Sequence, residues 1–218
     1  MKNTSEPPQS GAEHRPDEQG GIHVQGHIKI WDPETQEVYI DKRNAIHYEN
    51  MSEALATSVA NKGTNFISEM HFGNGGTTVD PTGVITYLPT NTRVQNADLY
   101  SPKYYKIVDD NNVANTDPTR NRIQVIHTPG LIYTDIVISC LIDYGEPAGQ
   151  AVFDNSQDLN GDFVFDELGL KGYSSTGPGQ GKLLTHVIFS PIQKSLNRLI
   201  QIDYTVRIQT LTNLSTNA

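Results

Sequence analysis

The sequence contains few hydrophobic and few charged residues. Hydrophobic residues make up 36% of its 218 positions and charged residues 19%, and both shares are below those of typical globular chains. Asn, Thr, Gln and Ser fill the deficit, which argues against a helical bundle rich in Ala, Leu, Glu and Lys. The 18 Gly and 12 Pro predict frequent turns, so the composition favours β-sheets joined by polar loops.

Cysteine is almost absent. Cys140 is the only one, which excludes an intrachain disulfide and a metal site built on several thiolates. It lies in the apolar run Ile136–Ile142 and is predicted to be a small core residue, compatible with assembly in a reducing cytoplasm. No apolar run reaches the roughly 18–20 residues of a membrane span. No apolar segment follows Lys2, so no secretory signal is expected.

Positive charge is also scarce. Lys and Arg total 16 against 25 Asp and Glu, for a net charge of −9. Because attraction to phosphates requires a Lys/Arg surface, direct nucleic-acid binding is not expected.

A strict alternation of apolar and polar residues marks the end of the chain. Ile200, Ile202, Tyr204, Val206 and Ile208 alternate with Gln201, Asp203, Thr205, Arg207 and Gln209. A period of two predicts a half-buried β-strand.

The first 21 residues are polar and rich in Pro, Gly, Glu and Gln, which predicts a disordered or partner-ordered arm at 1–21 and a folded domain at 22–218. The domain opens with a hairpin, Ile22–Trp31 followed by Glu37–Asp41. One helix of about three turns follows, with Asn50 and Glu53 as a capping-box-like start and Gly63 near its C′ position.

The remaining segments are predicted to be strands joined by loops such as Gly73–Gly83. Together with the hairpin they give a mainly β protein, a β-sandwich of about nine to ten strands with one short helix near the N-terminus. The predicted strands are Asn65–Phe72, Val84–Tyr87, Tyr104–Val108, Arg122–His127, Tyr133–Tyr144, Phe163–Asp166, Leu183–Phe189 and Leu199–Leu211.

Two loops resemble ligand-binding motifs only in part. Gly177–Lys182 has Thr176 and Leu183 where a phosphate loop needs Gly and Ser or Thr, so a glycine hairpin loop is the preferred interpretation. Asp158–Asp162 begins like a calcium loop, but Phe163 and Gly169 replace its essential Gly and acidic ligand, which favours a polar turn. No metal or cofactor is expected; His23 and His27 have no third ligand nearby.

The adjacent carboxylates Asp166 and Glu167 are not expected to form an acid–base pair, because neighbours on a strand point to opposite faces. Glu167 is expected to accept backbone amides at a structural corner formed by Asp166, Glu167, Leu168, Gly169 and Leu170. Leu168 and Leu170 would anchor that corner in the core. No catalytic residue is predicted.

Two sets of residues are candidates for subunit contacts. Gly73, Asn74 and Gly75 form a conspicuous loop, although glycines also serve turns with positive φ. Tyrosines are favoured at protein interfaces and equally in strands. Four of the ten cluster in sequence: Tyr87, Tyr100, Tyr104 and Tyr105.

Several short segments, taken in order over residues 22–210, resemble the virion structural proteins of tailed bacteriophages that occur in tail, collar and baseplate. They are Gly26–Trp31 with Asp32-Pro33, Asn44–His47, the Met-Ser-Glu-Ala-Leu-Ala start at Met51, Phe72–Thr77, Phe165–Leu170 and Pro191–Ser195. The resemblance implies a non-enzymatic part of the particle, made and assembled in the host bacterial cytoplasm. It further implies other virion proteins as partners and a homo-oligomeric ring of three-, six- or twelve-fold order at the neck, collar or tail.

Two other functions stay open. A β-sandwich with Tyr- and Asn-rich loops also suits a receptor- or glycan-binding module of a phage fibre or baseplate. An enzyme such as a glycan depolymerase would need carboxylates distant in sequence to meet in space.

Overall fold

A computed structural model describes residues 20–63, 65–150 and 163–212. Two five-stranded antiparallel sheets pack face to face, with a small two-stranded sheet and one helix beside them. The predicted mainly β sandwich with one short helix is confirmed. In chain order the elements are β1 Gly20–Trp31, β2 Val38–Arg43, β3 Ala45–Ile46, α1 Tyr48–Val59, β4 Ile67–Gly73, β5 Thr77–Val79, β6 Ile85–Tyr87, β7 Pro102–Ile107, β8 Arg122–His127, β9 Tyr133–Ile142, β10 Val164–Gly172, β11 Thr185–Gln193 and β12 Ile200–Thr212.

The first sheet has the strand order β2-β1-β12-β9-β8. Its longest pairing joins β1 to β12, from Gly20 opposite Thr212 to Trp31 opposite Gln201. Gly20 and Gly21, which the sequence assigned to the arm, are therefore part of β1. The alternation predicted for the last strand is confirmed, since Ile202, Tyr204 and Val206 are fully buried.

The second sheet has the order β3-β11-β10-β4-β7. Its inner face contributes Met70, Phe72, Leu168 and Leu170 to one core shared with Ile28, Ile138, Cys140 and Ile202 of the first sheet. Cys140 is fully buried, as predicted, and burial raises the pKa of its thiol to about 12.

The predicted corner at Asp166, Glu167, Leu168, Gly169 and Leu170 is wrong as a chain reversal. These residues continue straight through β10, in which every residue from Val164 to Gly172 is buried. The only irregularity in its pairing with β11 is a register shift between Phe165 and Glu167. Gly169 is required because an added Cβ would lie 2.6 Å from Leu183 and 2.7 Å from the Thr185 carbonyl, not because the chain turns there.

Both ends of the helix differ from the prediction. The N-cap is His47, whose ring accepts a hydrogen bond from the Asn50 amide. Asn50 lies inside the first turn, buried, and donates to the carbonyls of Gln95 and Leu183. At the other end Asn61, not Gly63, takes the left-handed conformation, with φ of 51°.

The predicted glycine loop 73–83 is shorter than expected, because β5 lies within it and pairs with β6 as a hairpin. Strand β3 was also missed, since two residues carry no periodic signal. The calcium-like segment Asp158–Asp162 lies outside the described residues.

Candidate functional site

Asp166 is the acceptor that fixes the loop after β4. One carboxylate oxygen accepts the amides of Gly75 and Gly76 at 3.0 and 2.9 Å. The other accepts the amide and the hydroxyl of Thr77 at 2.8 and 2.6 Å. The side chain is fully buried. A carboxylate offers about four acceptor positions, so these four hydrogen bonds fill all of them.

Glu167 holds the segment that leads into β7. It accepts the amides of Tyr100 and Ser101 at 2.9 and 2.7 Å, which matches the predicted bonding to backbone amides. It also accepts a hydrogen bond from His186 Nε2 at 3.0 Å. The Asn91 amide donates to His186 Nδ1 at 2.8 Å, so the ring proton of this buried pair lies on Nε2 and the imidazole is neutral.

The glycines Gly73, Gly75 and Gly76 fit between these anchored segments. A Cβ at Gly73 would collide with the Glu167 carboxylate, and one at Gly75 would lie 2.9 Å from the Ser101 amide. A Cβ at Gly76 would lie 2.9 Å from Ile188. Close approach within the chain therefore explains these glycines.

Charged residues also hold two segments, at Gly179 and at Asp98, against the outer face of the second sheet. Glu69 accepts His71 Nε2 at 2.6 Å and the Gly179 amide at 2.8 Å. Buried Lys171 donates to the Gly179 carbonyl and to Asp98. The loop that superficially resembled a phosphate loop thus uses a backbone amide for an internal carboxylate, and strand β11, not a helix, follows it.

Three of the four predicted tyrosines expose their rings along that outer side. Tyr87 bonds Ser190 through its hydroxyl, the Tyr100 ring lies 5.8 Å from His186, and the Tyr105 ring stacks on His71 at 5.4 Å. Between 42% and 50% of each residue is exposed. We call Tyr87, Tyr100 and Tyr105 the tyrosine surface.

Tyr104 does not belong to the tyrosine surface. It packs against the core, with its ring 6.1 Å from Phe72, and burial raises the pKa of its hydroxyl. It alternates with Tyr105 on β7, and adjacent residues of a strand point to opposite faces. Tyr104 is therefore a packing residue of the core, and a subunit contact at this position stays a prediction.

An apolar groove of about 380 Å³ opens between α1 and the β8 side of the first sheet. Its apolar lining includes Leu55, Phe66, Ile123, Val125, Ile136 and Ile208, and Asp109 and Asp110 also border it. Val125 is 69% exposed. The inner face of the first sheet is therefore incompletely covered at β8.

Histidines and acidic residues do not converge on a metal geometry within 20–63, 65–150 and 163–212, where no group of three or more potential ligands occurs. His27 instead pairs with Asp41 on β2 at 2.8 Å.

Sequence reasoning missed the partners of the buried polar side chains. Lys171, His186 and Asn50 bond groups 8 to 133 positions away, which no local pattern reveals. The only sequence signal for these contacts was that the chain contains both a Gly-Gly-Thr loop at 75–77 and two consecutive acidic residues, Asp166 and Glu167.

Comparisons with protein-family models, with curated proteins and with solved structures find no match. None of the described segments forms a helix long and apolar enough to cross a membrane.

Proposed function

We propose that this chain is a non-enzymatic structural component of a tailed-phage virion that assembles as a ring at the neck, collar or tail. The order of the segments that resemble such proteins suggests the class. The observation that carries the proposal is the tyrosine surface. Tyr105 lies on a strand of the second sheet, and Tyr87 and Tyr100 lie on segments that Asp166 and Glu167 hold in place. Tyrosines held rigidly lose little conformational entropy on binding, which suits a protein interface.

The buried ionisable groups support a structural role. Asp166 and Glu167 accept seven hydrogen bonds between them, six of them from the segments Gly75–Thr77 and Tyr100–Ser101. Their charge is used to hold loops in place. The partners that this proposal implies are other virion proteins and further copies of the chain.

Incorporation into particles tests the proposal. In purified particles of the phage that encodes the chain, quantitative mass spectrometry should find it at a fixed copy number. The double variant Tyr87→Ser, Tyr105→Ser should be incorporated at least about tenfold less well, as expected for loss of interface anchors. Tyr48→Ser is the control, because Tyr48 is 74% exposed on α1 and is not part of the tyrosine surface.

Absence of the wild-type chain from particles would overturn the proposal, as would full incorporation of the double variant. A glycan-binding module is the second candidate, because exposed aromatic rings on an anchored surface also suit recognition of sugar rings. Binding of the isolated chain to host surface polysaccharide, lost in the same double variant, would favour it.

A further inference from the structure

The first sheet has two free edges among the described residues. On one side β8 pairs with β9 and no described strand lies beyond it. On the other side β2 pairs with β1 only from His27 to Trp31. After Arg43 the chain crosses to the second sheet, and the Asn44 amide bonds the Gly26 carbonyl at 3.2 Å. The stretch Gly20–Gln25 therefore has β12 on one side and an open edge on the other.

The two edges have compatible directions and lengths. Strands β1, β12, β9 and β8 alternate in direction, so β8 is antiparallel to β1. A neighbouring copy in the same orientation would bring its β8 antiparallel to Gly20–Gln25. There it would occupy the position beside β1 that β2 does not reach. Both edges are six residues long. The open edges thus form a matched pair on opposite sides of one subunit.

Their side chains are also compatible. Ile22 and Val24 have the same parity along β1 as the buried Ile28 and Ile30, so they lie on the inner face of the sheet. Val125 pairs with Ile136, which packs against the core, and so lies on the inner face as well. Ile22 is 66% and Val125 is 69% exposed. Joining the edges would continue one apolar strip from copy to copy.

The β1 edge lacks the usual protection against pairing, and the β8 edge carries little of it, since among the described residues only the Ile123 amide donates to a loop side chain, Asp110, at 3.4 Å. Natural edge strands are commonly blocked by Lys, by Pro or by inward-pointing charges. Gly20–Gly26 contains no Asp, Glu, Lys, Arg or Pro, and Arg122, at the start of β8, is the only one of these residues in that strand. An open edge with few charges is a template for strand addition, in which main-chain hydrogen bonds supply affinity.

We propose that copies of this chain join head to tail, with β8 of one copy added to the Gly20–Gln25 edge of the next. The inference rests on the proposed ring and names its contact. A head-to-tail contact uses two different surfaces and closes into a ring when the rotation between copies permits. A two-fold pairing of β8 with β8 would instead stop at a dimer and leave the β1 edge unused.

Two single variants of the full chain test the contact by light scattering. Val125→Lys alters the β8 edge and Ile22→Lys the β1 edge, and both positions are exposed enough to accept a lysine in the monomer. The wild-type chain should assemble to a multiple of the monomer mass of 24.1 kDa. Each variant alone should have the monomer mass. Mixing the two variants should produce a one-to-one heterodimer, because the intact β1 edge of Val125→Lys can pair with the intact β8 of Ile22→Lys.

Val113→Lys is the matched control and should assemble like the wild type, since Val113 is fully exposed in a loop. Wild-type protein that stays monomeric at all concentrations would overturn the edge contact, as would variants that assemble normally. An Ile22→Lys protein that still forms dimers would indicate β8–β8 pairing and overturn it too. None of these results bears on incorporation into particles, so the edge contact and the proposed function fail separately.

Discussion

At the scale of single residues, buried charges in this protein hold loops onto a sheet. Asp166 and Glu167 are fully buried, and N–H donors surround both of them, with the Thr77 hydroxyl as a further donor to Asp166. A buried carboxylate is tolerated only when such donors replace its hydration. Asp166 thus fixes the loop that follows β4, and Glu167 fixes the segment that leads into β7, the strand that carries Tyr105.

Replacing Glu167 should measure this anchoring directly. Glu167→Gln keeps the shape but turns an amide NH₂ toward donors that need an acceptor, so we expect a loss of about 3 kcal/mol in the free energy of unfolding. Glu37→Gln, an exposed control, should change it by less than about 0.5 kcal/mol. Urea unfolding curves give both values. Equal midpoints for the two variants would show that Glu167 does not anchor the loops.

Lys194 should make stability depend on pH. Its side chain is buried and donates to the Ser195 carbonyl at 2.9 Å, and burial lowers its pKa from 10.5 to about 8. Between these values the unfolded chain binds a proton that the folded chain has lost, so this group raises the free energy of unfolding as pH rises. The buried Cys140 thiol has the opposite effect above its unfolded pKa, because its folded pKa is raised.

Comparison with Lys194→Met isolates the lysine, because Cys140 is common to both proteins. Between pH 7 and pH 9.5 the wild type should gain about 2 kcal/mol relative to the variant. Denaturant unfolding at a series of pH values measures the difference. Two parallel stability curves would mean that Lys194 titrates normally in the folded protein.

At the scale of elements, the ends of α1 depend on tertiary contacts. The sequence offers Asn50 as a cap, but its amide group is taken by the carbonyls of Gln95 and Leu183, and His47 caps the helix instead. At the C-terminus the Lys62 amide bonds Thr57 O at 2.9 Å and the Asn61 amide bonds Ser58 O at 3.2 Å. This is a Schellman motif, with Asn61 in the left-handed position.

Two substitutions at Asn61 should separate backbone strain from side-chain loss. Asn61→Ala places a Cβ without local polar compensation at positive φ and should cost about 1 kcal/mol. Asn61→Gly should be neutral within about 0.5 kcal/mol, because glycine adopts this conformation readily. Lys62→Ala is a control at ordinary φ. Chemical denaturation ranks the three, and equal effects of Ala and Gly at position 61 would contradict the strain argument.

The predicted elements differ from the observed ones for identifiable physical reasons. The periodic strands β8, β9 and β12 were placed within about two residues, because alternation reports directly which face is buried. In β10 the Gly and the acidic pair suggested a turn, yet Asp166 and Glu167 have their donors on distant segments and Gly169 lies against Leu183. A glycine or an acidic residue that a close tertiary contact requires cannot be distinguished in sequence from one that a turn requires.

At the scale of the whole molecule, the two sheets differ in how they are covered. The second sheet is buried on both sides of β10, by the core and by the segments around Leu99 and Leu183. Within residues 20–63, 65–150 and 163–212, the first sheet has no further strand at the outer edge of β8 or of Gly20–Gln25, and its inner face is incompletely covered at β8. One sheet therefore stabilises the anchored loops, and the other carries the two edges that we propose join neighbouring copies.

The sequence by itself determined the mainly β class, the single short helix, the buried cysteine and the face of the last strand that enters the core. Composition and a period of two are local properties, so they can be read without knowing the neighbours. Only the tertiary structure decided which groups satisfy Asp166, Glu167 and Asn50, which tyrosines are exposed, and which strands lie at the edges. Those outcomes depend on the order of strands and on contacts between residues up to 192 positions apart, and no local pattern encodes them.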